Sequence, residues 1–135
     1  MKDKDLMRLA LAARRMSYAP YSDYQVGAAL LGEDESVTLG CNVENASYGA
    51  TCCAERTAVF KAVSEGKKRF TAIAITGGSG ERLNMAYPCG VCRQVLREFS
   101  EPSEMRVLVG TSVDDFEAYT LEELLPKSFG PDFKG

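Results

Sequence analysis

A chain of 135 residues, 45% apolar and 26% charged, is long enough to bury a core and sized for one domain spanning 1–135. Its net charge of −3 speaks against a polynucleotide partner, whose binding rests on Lys and Arg neutralising phosphates. With no histidine, Ser-His and Cys-His catalytic pairs and His-ligated metal sites are excluded.

The first residues, Met1-Lys2-Asp3-Lys4-Asp5, are charged and lead into no apolar core of signal-peptide length. No run reaches the ~18 apolar residues of a membrane span. The expected address is the cytoplasm, where clustered thiols serve as metal ligands or catalytic groups rather than disulfides. Leu6, Leu9, Ala10, Ala13 and Met16 recur at helical spacing and predict an amphipathic helix over 3–17. Asp3 or Asp5 would cap it, and Ala19-Pro20 stops it. Arg14-Arg15, like Lys67-Lys68-Arg69 further on, reads as a solvated helix end. Strands are predicted over 24–31 and 36–43, joined as a hairpin through 32–35. Gly27 weakens the first strand unless another backbone or a ligand comes close.

After a loop over 44–51, a helix is predicted over 53–65, with Ala54, Ala58, Val59 and Ala62 as its apolar face and Gly66 as its stop. Residues 70–76 read as a buried strand. Gly77-Gly78-Ser79-Gly80 lacks the Lys-Ser/Thr of a phosphate-binding loop and reads as a plain loop. A helix over 89–100, a strand over 105–109 and a short edge strand over 116–119 follow. Thr120-Leu121-Glu122-Glu123 is a capping box opening a last helix that Pro126 closes, with an irregular tail over 129–135. This order predicts an α/β fold, a single mixed sheet of about five strands sandwiched by helices.

Two stretches carry the chemistry: Cys52-Cys53-Ala54-Glu55-Arg56 and Pro88-Cys89-Gly90-Val91-Cys92-Arg93-Gln94. Each places thiols at the start of a predicted helix. Cys89-x-x-Cys92 alone suits a redox dithiol or a zinc site, but a redox pair needs no third thiol. Structural zinc needs four closed ligands, the fourth here being Cys41 or Cys52, whereas catalytic zinc leaves one position to water. Three thiolates make zinc a poorer Lewis acid. Two helix N-termini, and Arg56 one turn after Cys53, can offset that charge. The plainer reading of Arg56 is an ordinary ion pair. Glu55 fits the catalytic reading as a proton carrier. Periodicity leaves open which of Cys52 and Cys53 is the ligand. Cys52 shares a helix face with Glu55, and Cys53 does so only where the backbone is still turning.

Cys53-Ala54-Glu55 with Pro88-Cys89-Gly90-Val91-Cys92 resembles the C-A-E … P-C-x-x-C signature of zinc-dependent deaminases. Tyr18-Ala19-Pro20-Tyr21-Ser22, Val26-Gly27-Ala28-Ala29-Leu30, Gly40-Cys41-Asn42-Val43-Glu44-Asn45-Ala46-Ser47-Tyr48 and Leu124-Leu125-Pro126 look like the small tetrameric cytidine deaminases. The resemblance implies a cytidine deaminase-like α/β/α fold and one zinc per subunit, held by Cys53, Cys89 and Cys92. It implies that water activated at zinc attacks C4 of cytosine in cytidine or 2′-deoxycytidine, in pyrimidine salvage. Glu55 would carry the water's proton to ring N3 and then help protonate the departing amino group. Asn42 and Glu44 would bind the ribose hydroxyls, and Ala54 would contact the substrate. Tyr24, where the family usually has Phe, would pack on the pyrimidine. Ala46, Tyr48 and Phe129 would reach in from neighbouring chains of a homotetramer.

A carboxylate facing ribose also repels a 5′-phosphate, which favours free nucleosides over nucleotides and nucleic acid. Two rivals stay open. One is a deaminase of a modified cytosine nucleoside or nucleoside antibiotic, against which Asn42-Val43-Glu44-Asn45 speaks. The other is a non-catalytic structural-zinc interaction module with a fourth protein ligand. Without the resemblance, Cys41 and Cys52 are small buried thiols and Glu44 is a loop carboxylate. Tyr48 and Phe129 are then core or rim residues, and Gln94 an exposed helix position.

Overall fold

The computed structural model describes residues 1–132. Helix α1 (Asp3–Ala13) turns Leu6, Met7, Ala10 and Ala13 inward and ends in a 3-10 turn, Arg14–Met16. Neither predicted aspartate caps it: the N-cap is Lys2, and Asp3 instead pairs with Arg106. The hairpin forms as β1 (Gln25–Gly32) and β2 (Val37–Cys41), followed by α2 (Ala54–Ser64).

The next strand, β3 (Phe70–Ser79), overruns its prediction. Gly77-Gly78-Ser79 is not a loop: the strand continues through it and folds back as β4 (Arg82–Asn84), which hydrophobic patterning missed. Three residues, Arg-Leu-Asn, are too few to show a period. The glycines are there for close approach. A Cβ on Gly78 would collide with the Arg82 carbonyl, and one on Gly77 would lie 2.8 Å from Ala86 Cβ.

Helix α3 (Gly90–Glu98), β5 (Arg106–Ser112), β6 (Asp115–Thr120) and α4 (Leu121–Leu124) complete the order. Both halves of the Thr120/Glu123 capping box are made. The tail runs on without helix or strand to Asp132, and the rest of the predicted irregular tail, 133–135, lies outside the described residues.

The six strands form one mixed sheet in the order β2-β1-β3-β5-β6, with β4 paired to β3. Among these described strands only β3 and β5 pair in parallel. Successive side chains on a strand point to opposite faces, and the sequence uses both. Ala28, Leu30, Ile73, Ile75, Val107 and Val109 pack with Ala54, Ala58, Val59 and Ala62 of α2 and Leu96 of α3. The alternate set, Ala29, Leu31, Ala72, Ala74 and Leu108, packs with Leu6, Met7 and Ala10 of α1. A Cβ on Gly27 would strike the Ala10 carbonyl and the Arg14 amide, so α1 is the close backbone partner this glycine demands. Arg14 is no solvated end: it donates to the carbonyls of Gln25 (3.0 Å), Gly78 (2.7 Å) and Gly80 (2.6 Å), stapling α1 to two strands.

Both β2 and β3 run antiparallel to β1, and therefore run the same way. The chain leaves β2 into α2 and leaves β3 through the short return of β4 into α3, and the two helix N-termini, capped by Cys53 and Cys89, meet at one end of the sheet. In α/β sheets this is where sites are built. Among the described residues no helix is long and apolar enough to cross a membrane.

Candidate active site

Val43 and Cys52 exchange backbone hydrogen bonds of 2.9 Å in both directions, which holds this segment extended. Neighbouring side chains in extended backbone point to opposite sides, so Cys52 turns away where Cys53 turns in. Cys53 is the N-cap of α2, Cys89 is the N-cap of α3, and Cys92 lies buried in the first turn of α3. Their three sulfurs lie within 4.8 Å of one another, with Cys53–Cys89 at 4.0 Å and Cys89–Cys92 at 3.5 Å. A tetrahedral zinc with ~2.3 Å bonds to sulfur needs its sulfurs about 3.8 Å apart. The donor set therefore fits one zinc. Among the described residues, neither Cys41 nor Cys52 joins it, and the structural-zinc reading required one of them.

The charge offset anticipated for a three-thiolate site is present. Arg56 Nη2 donates to Cys53 Sγ at 3.3 Å. Cys53 is lowered to about 5, first by a hydrogen bond from the Cys92 thiol and then by Arg56, against the opposing effect of burial. Cys92 is raised, because it donates that bond and because it is buried.

Glu55 follows two residues after the N-cap, in the first turn of α2, and is 5% exposed. Burial pushes its carboxyl up to about 7, and the neighbouring Cys53 charge acts in the same direction. Such a group both takes and gives a proton near neutrality. It faces a cavity of about 450 Å³, the size of a small-molecule site. Tyr24, Asn42, Cys53, Ala54 and Cys89 share that cavity with Glu55.

The remaining expected residues divide. Glu44 and Tyr48 line an adjoining cavity of about 300 Å³, with Tyr21, Ser22 and Asn45, and Thr51 borders both cavities. Glu44 Oε1 accepts from the amides of Tyr21 (3.0 Å) and Ser22 (3.1 Å), and Oε2 accepts from the Ser22 hydroxyl. These bonds, led by the Ser22 hydroxyl, hold its carboxyl below the usual range. Asn42 is buried. Its Oδ1 accepts from Val26 N (2.9 Å) and Ser17 Oγ (2.5 Å), and its Nδ2 donates to the Tyr24 carbonyl (2.8 Å), leaving one N–H. Ala46 is exposed and Phe129 is 80% exposed, and neither lines either cavity.

Sequence reasoning missed Val26, Thr51, Met85, Ala86 and Tyr87, all of which line the larger cavity. The last three directly precede Pro88-Cys89, and that adjacency was the available signal. Their placement depends on β4, whose return carries them over the cluster. Tyr24 Oη donates to Asn84 Oδ1 (2.5 Å) and Tyr87 Oη to Glu117 Oε1 (2.6 Å), so both ends of this wall are tied. The whole arrangement can hold a metal and move a proton on a small molecule bound in the cavity.

A family profile described as "Cytidine and deoxycytidylate deaminase zinc-binding region" matches residues 1–109. The cytidine deaminase of Halalkalibacterium halodurans is 48% identical over 124 residues, covering 92% of this chain and 91% of that one. The crystal structure of cytidine deaminase from Burkholderia pseudomallei superposes with a TM-score of 0.86 at 44% identity, covering 96% of this chain and all of the other. That of cytidine deaminase from Mycobacterium tuberculosis gives 0.81 at 39% identity, over 97% of this chain and all of the other.

Proposed function

The chain belongs to the cytidine and deoxycytidylate deaminase family, and from that premise we propose that it hydrolyses cytidine and 2′-deoxycytidine to uridine and 2′-deoxyuridine, releasing ammonia. The observation that carries this reading is a buried carboxyl, raised to about 7, beside three clustered sulfurs in one cavity. Cys53, Cys89 and Cys92 hold one zinc per subunit. When bound, zinc supplies Lewis acidity that makes water a nucleophile near neutral pH.

The chain's own groups do the rest. Glu55 accepts the proton of the attacking water at its carboxylate, passes it to ring N3, and then helps protonate the leaving amino group. Arg56 and the two helix N-termini draw negative charge from sulfur. Tyr24 packs its ring on the pyrimidine, with Ala54 beneath. The free N–H of Asn42 and the remaining lone pairs of Glu44 bind ribose hydroxyls. Glu44, kept ionised by its donors, disfavours a 5′-phosphate. The residues of 1–135 act as one domain in the cytoplasm, in pyrimidine salvage, as a homotetramer. Ala46, Tyr48 and Phe129, each exposed, complete the sites of neighbouring copies.

The test is ultraviolet-monitored loss of cytidine by zinc-loaded protein, with and without a chelator. Turnover is expected to stop on zinc removal. Glu55→Gln is expected to retain zinc and lose about 10²–10⁴-fold in kcat. Parent-rate turnover by that variant removes Glu55 from the mechanism. Faster turnover of a modified cytosine nucleoside than of cytidine would move the assignment to that substrate.

A further inference from the structure

The segment after α4 is strapped along α3. Arg97 is buried, 8% exposed, and donates from Nε to Ser128 Oγ (2.9 Å) and from Nη1 to the Pro131 carbonyl (2.8 Å). Gln94 Nε2 donates to the Phe129 carbonyl (3.2 Å), and Arg93 Nη1 to the Leu124 carbonyl (2.7 Å). Gly130 lies directly on the guanidinium: a Cβ there would sit 2.9 Å from Nη1. Between these anchors the Phe129 ring projects outward, 80% exposed.

Desolvating a guanidinium is costly, and here it fixes a segment that sends its aromatic side chain away from the core. The strap thus holds an exposed aromatic ring at a fixed place on the surface. Phe129 lines neither of the two cavities described above, which leaves its ring free to enter the site of another copy. A seat for it exists there. Tyr21 and Tyr48 flank the smaller cavity with their rings edge to face at 6.3 Å, both exposed, so the face on which Tyr48 would meet a neighbouring copy also offers that copy's Phe129 an aromatic seat. A third aromatic ring adds favourably to such a pair.

We propose that Arg97 is a positioning residue that presents Phe129 as an aromatic knob to the pocket of a second copy of this chain. The proposal rests on the shared-site reading of Phe129 given above. Helix α3 also carries Cys89 and Cys92, so strap and metal cluster are held by one rigid element.

The test compares zinc-loaded Phe129→Ala, Arg97→Met and the double variant, with zinc content and oligomer mass measured alongside. Phe129→Ala is expected to lower kcat/KM about tenfold, the scale of one lost aromatic contact. Arg97→Met keeps the apolar stem, removes the guanidinium, and is expected to lower kcat/KM comparably. The double variant falls no further, because both changes remove one interaction. Each variant is then co-assembled with Glu55→Gln chains, which have intact straps and inactive sites. Activity per Glu55-containing site is expected to rise towards the parent value in both mixtures, because straps are supplied in trans.

Parent-like kinetics for Phe129→Ala would overturn the shared-site reading itself. An impaired Phe129→Ala beside a parent-like Arg97→Met would overturn only the role of Arg97. The same follows if co-assembly restores Phe129→Ala but not Arg97→Met, since Arg97 would then act within its own chain. If Arg97→Met does not fold, Gln94→Ala with Ser128→Ala cuts two strap bonds and is held to the same outcomes.

Discussion

Replacing Glu55 by Gln should stabilise the zinc-stripped protein even though it costs the zinc-loaded protein about 10²–10⁴-fold in kcat. The folded carboxyl titrates at about 7 against an ordinary 4.5, mainly because it is buried. Below pH 4.5 both folded and unfolded chains hold the proton, and the residue exerts no pH-dependent effect. Between 4.5 and 7 the unfolded chain releases its proton while the folded chain retains it. Stability then falls as pH rises, by ~1.4 kcal/mol per pH unit. Above 7 the loss reaches its full size, ~3 kcal/mol. Glutamine has the shape of the neutral acid and does not titrate, so the variant escapes this loss. Urea unfolding in chelator and reductant, at fixed protein concentration from pH 4 to 8, measures the difference. The two proteins should match near pH 4, diverge through pH 5 and 6, and differ by ~3 kcal/mol at pH 8. A gap that stays constant with pH, or that has the opposite sign at pH 8, would refute the claim that burial perturbs this carboxyl.

Arg56→Ala should speed zinc release to a chelator about 10- to 100-fold, because it removes the donor that drains charge from Cys53. An unchanged release rate would return Arg56 to the status of an ordinary surface cation. Gly40→Ala should destabilise the fold by about 1–3 kcal/mol by overpacking. Its Cβ would lie 2.5 Å from the Ala54 carbonyl and 2.6 Å from the Ala58 amide, and backbone cannot yield cheaply. Because α2 must lift to make room, zinc content per chain should fall with the thermal midpoint. Full zinc occupancy alongside a parent-like midpoint would contradict this account.

Much of the fold was legible because its signals are local. The capping box at Thr120 and Glu123 reads from four residues. The alternating faces of β1, β3 and β5 read from side-chain period alone, and Gly27 announced a close backbone neighbour before α1 was identified as that neighbour. What failed had two causes. Gly77-Gly78-Ser79 looked like a break because glycine is a turn residue, yet it serves the close approach of β4 and Ala86, and the three residues of β4 are too few to show a period. Arg14 looked solvated because its carbonyl acceptors at Gly78 and Gly80 are more than sixty residues away.

By itself the sequence determined which groups are on offer at the candidate site: a chain with no histidine, thiols at two predicted helix starts, and a carboxylate two positions after one of them. Residue types and short spacings carry that information because sulfur–metal and proton-transfer chemistry are properties of side chains. Periodicity left open which thiol of Cys52 and Cys53 faces the others; the family signature pointed to Cys53, and the tertiary structure supplies the reason, since the choice turns on the Val43 bridge. The tertiary structure alone raised Glu55 towards neutrality, since burial is the sum of everything packed around a group. It also set Phe129 outside both of the cavities described for its own chain, pinned there by Arg97 from a helix thirty residues earlier. Distance along the chain says little about distance in space once a sheet brings β2 and β3 to one end.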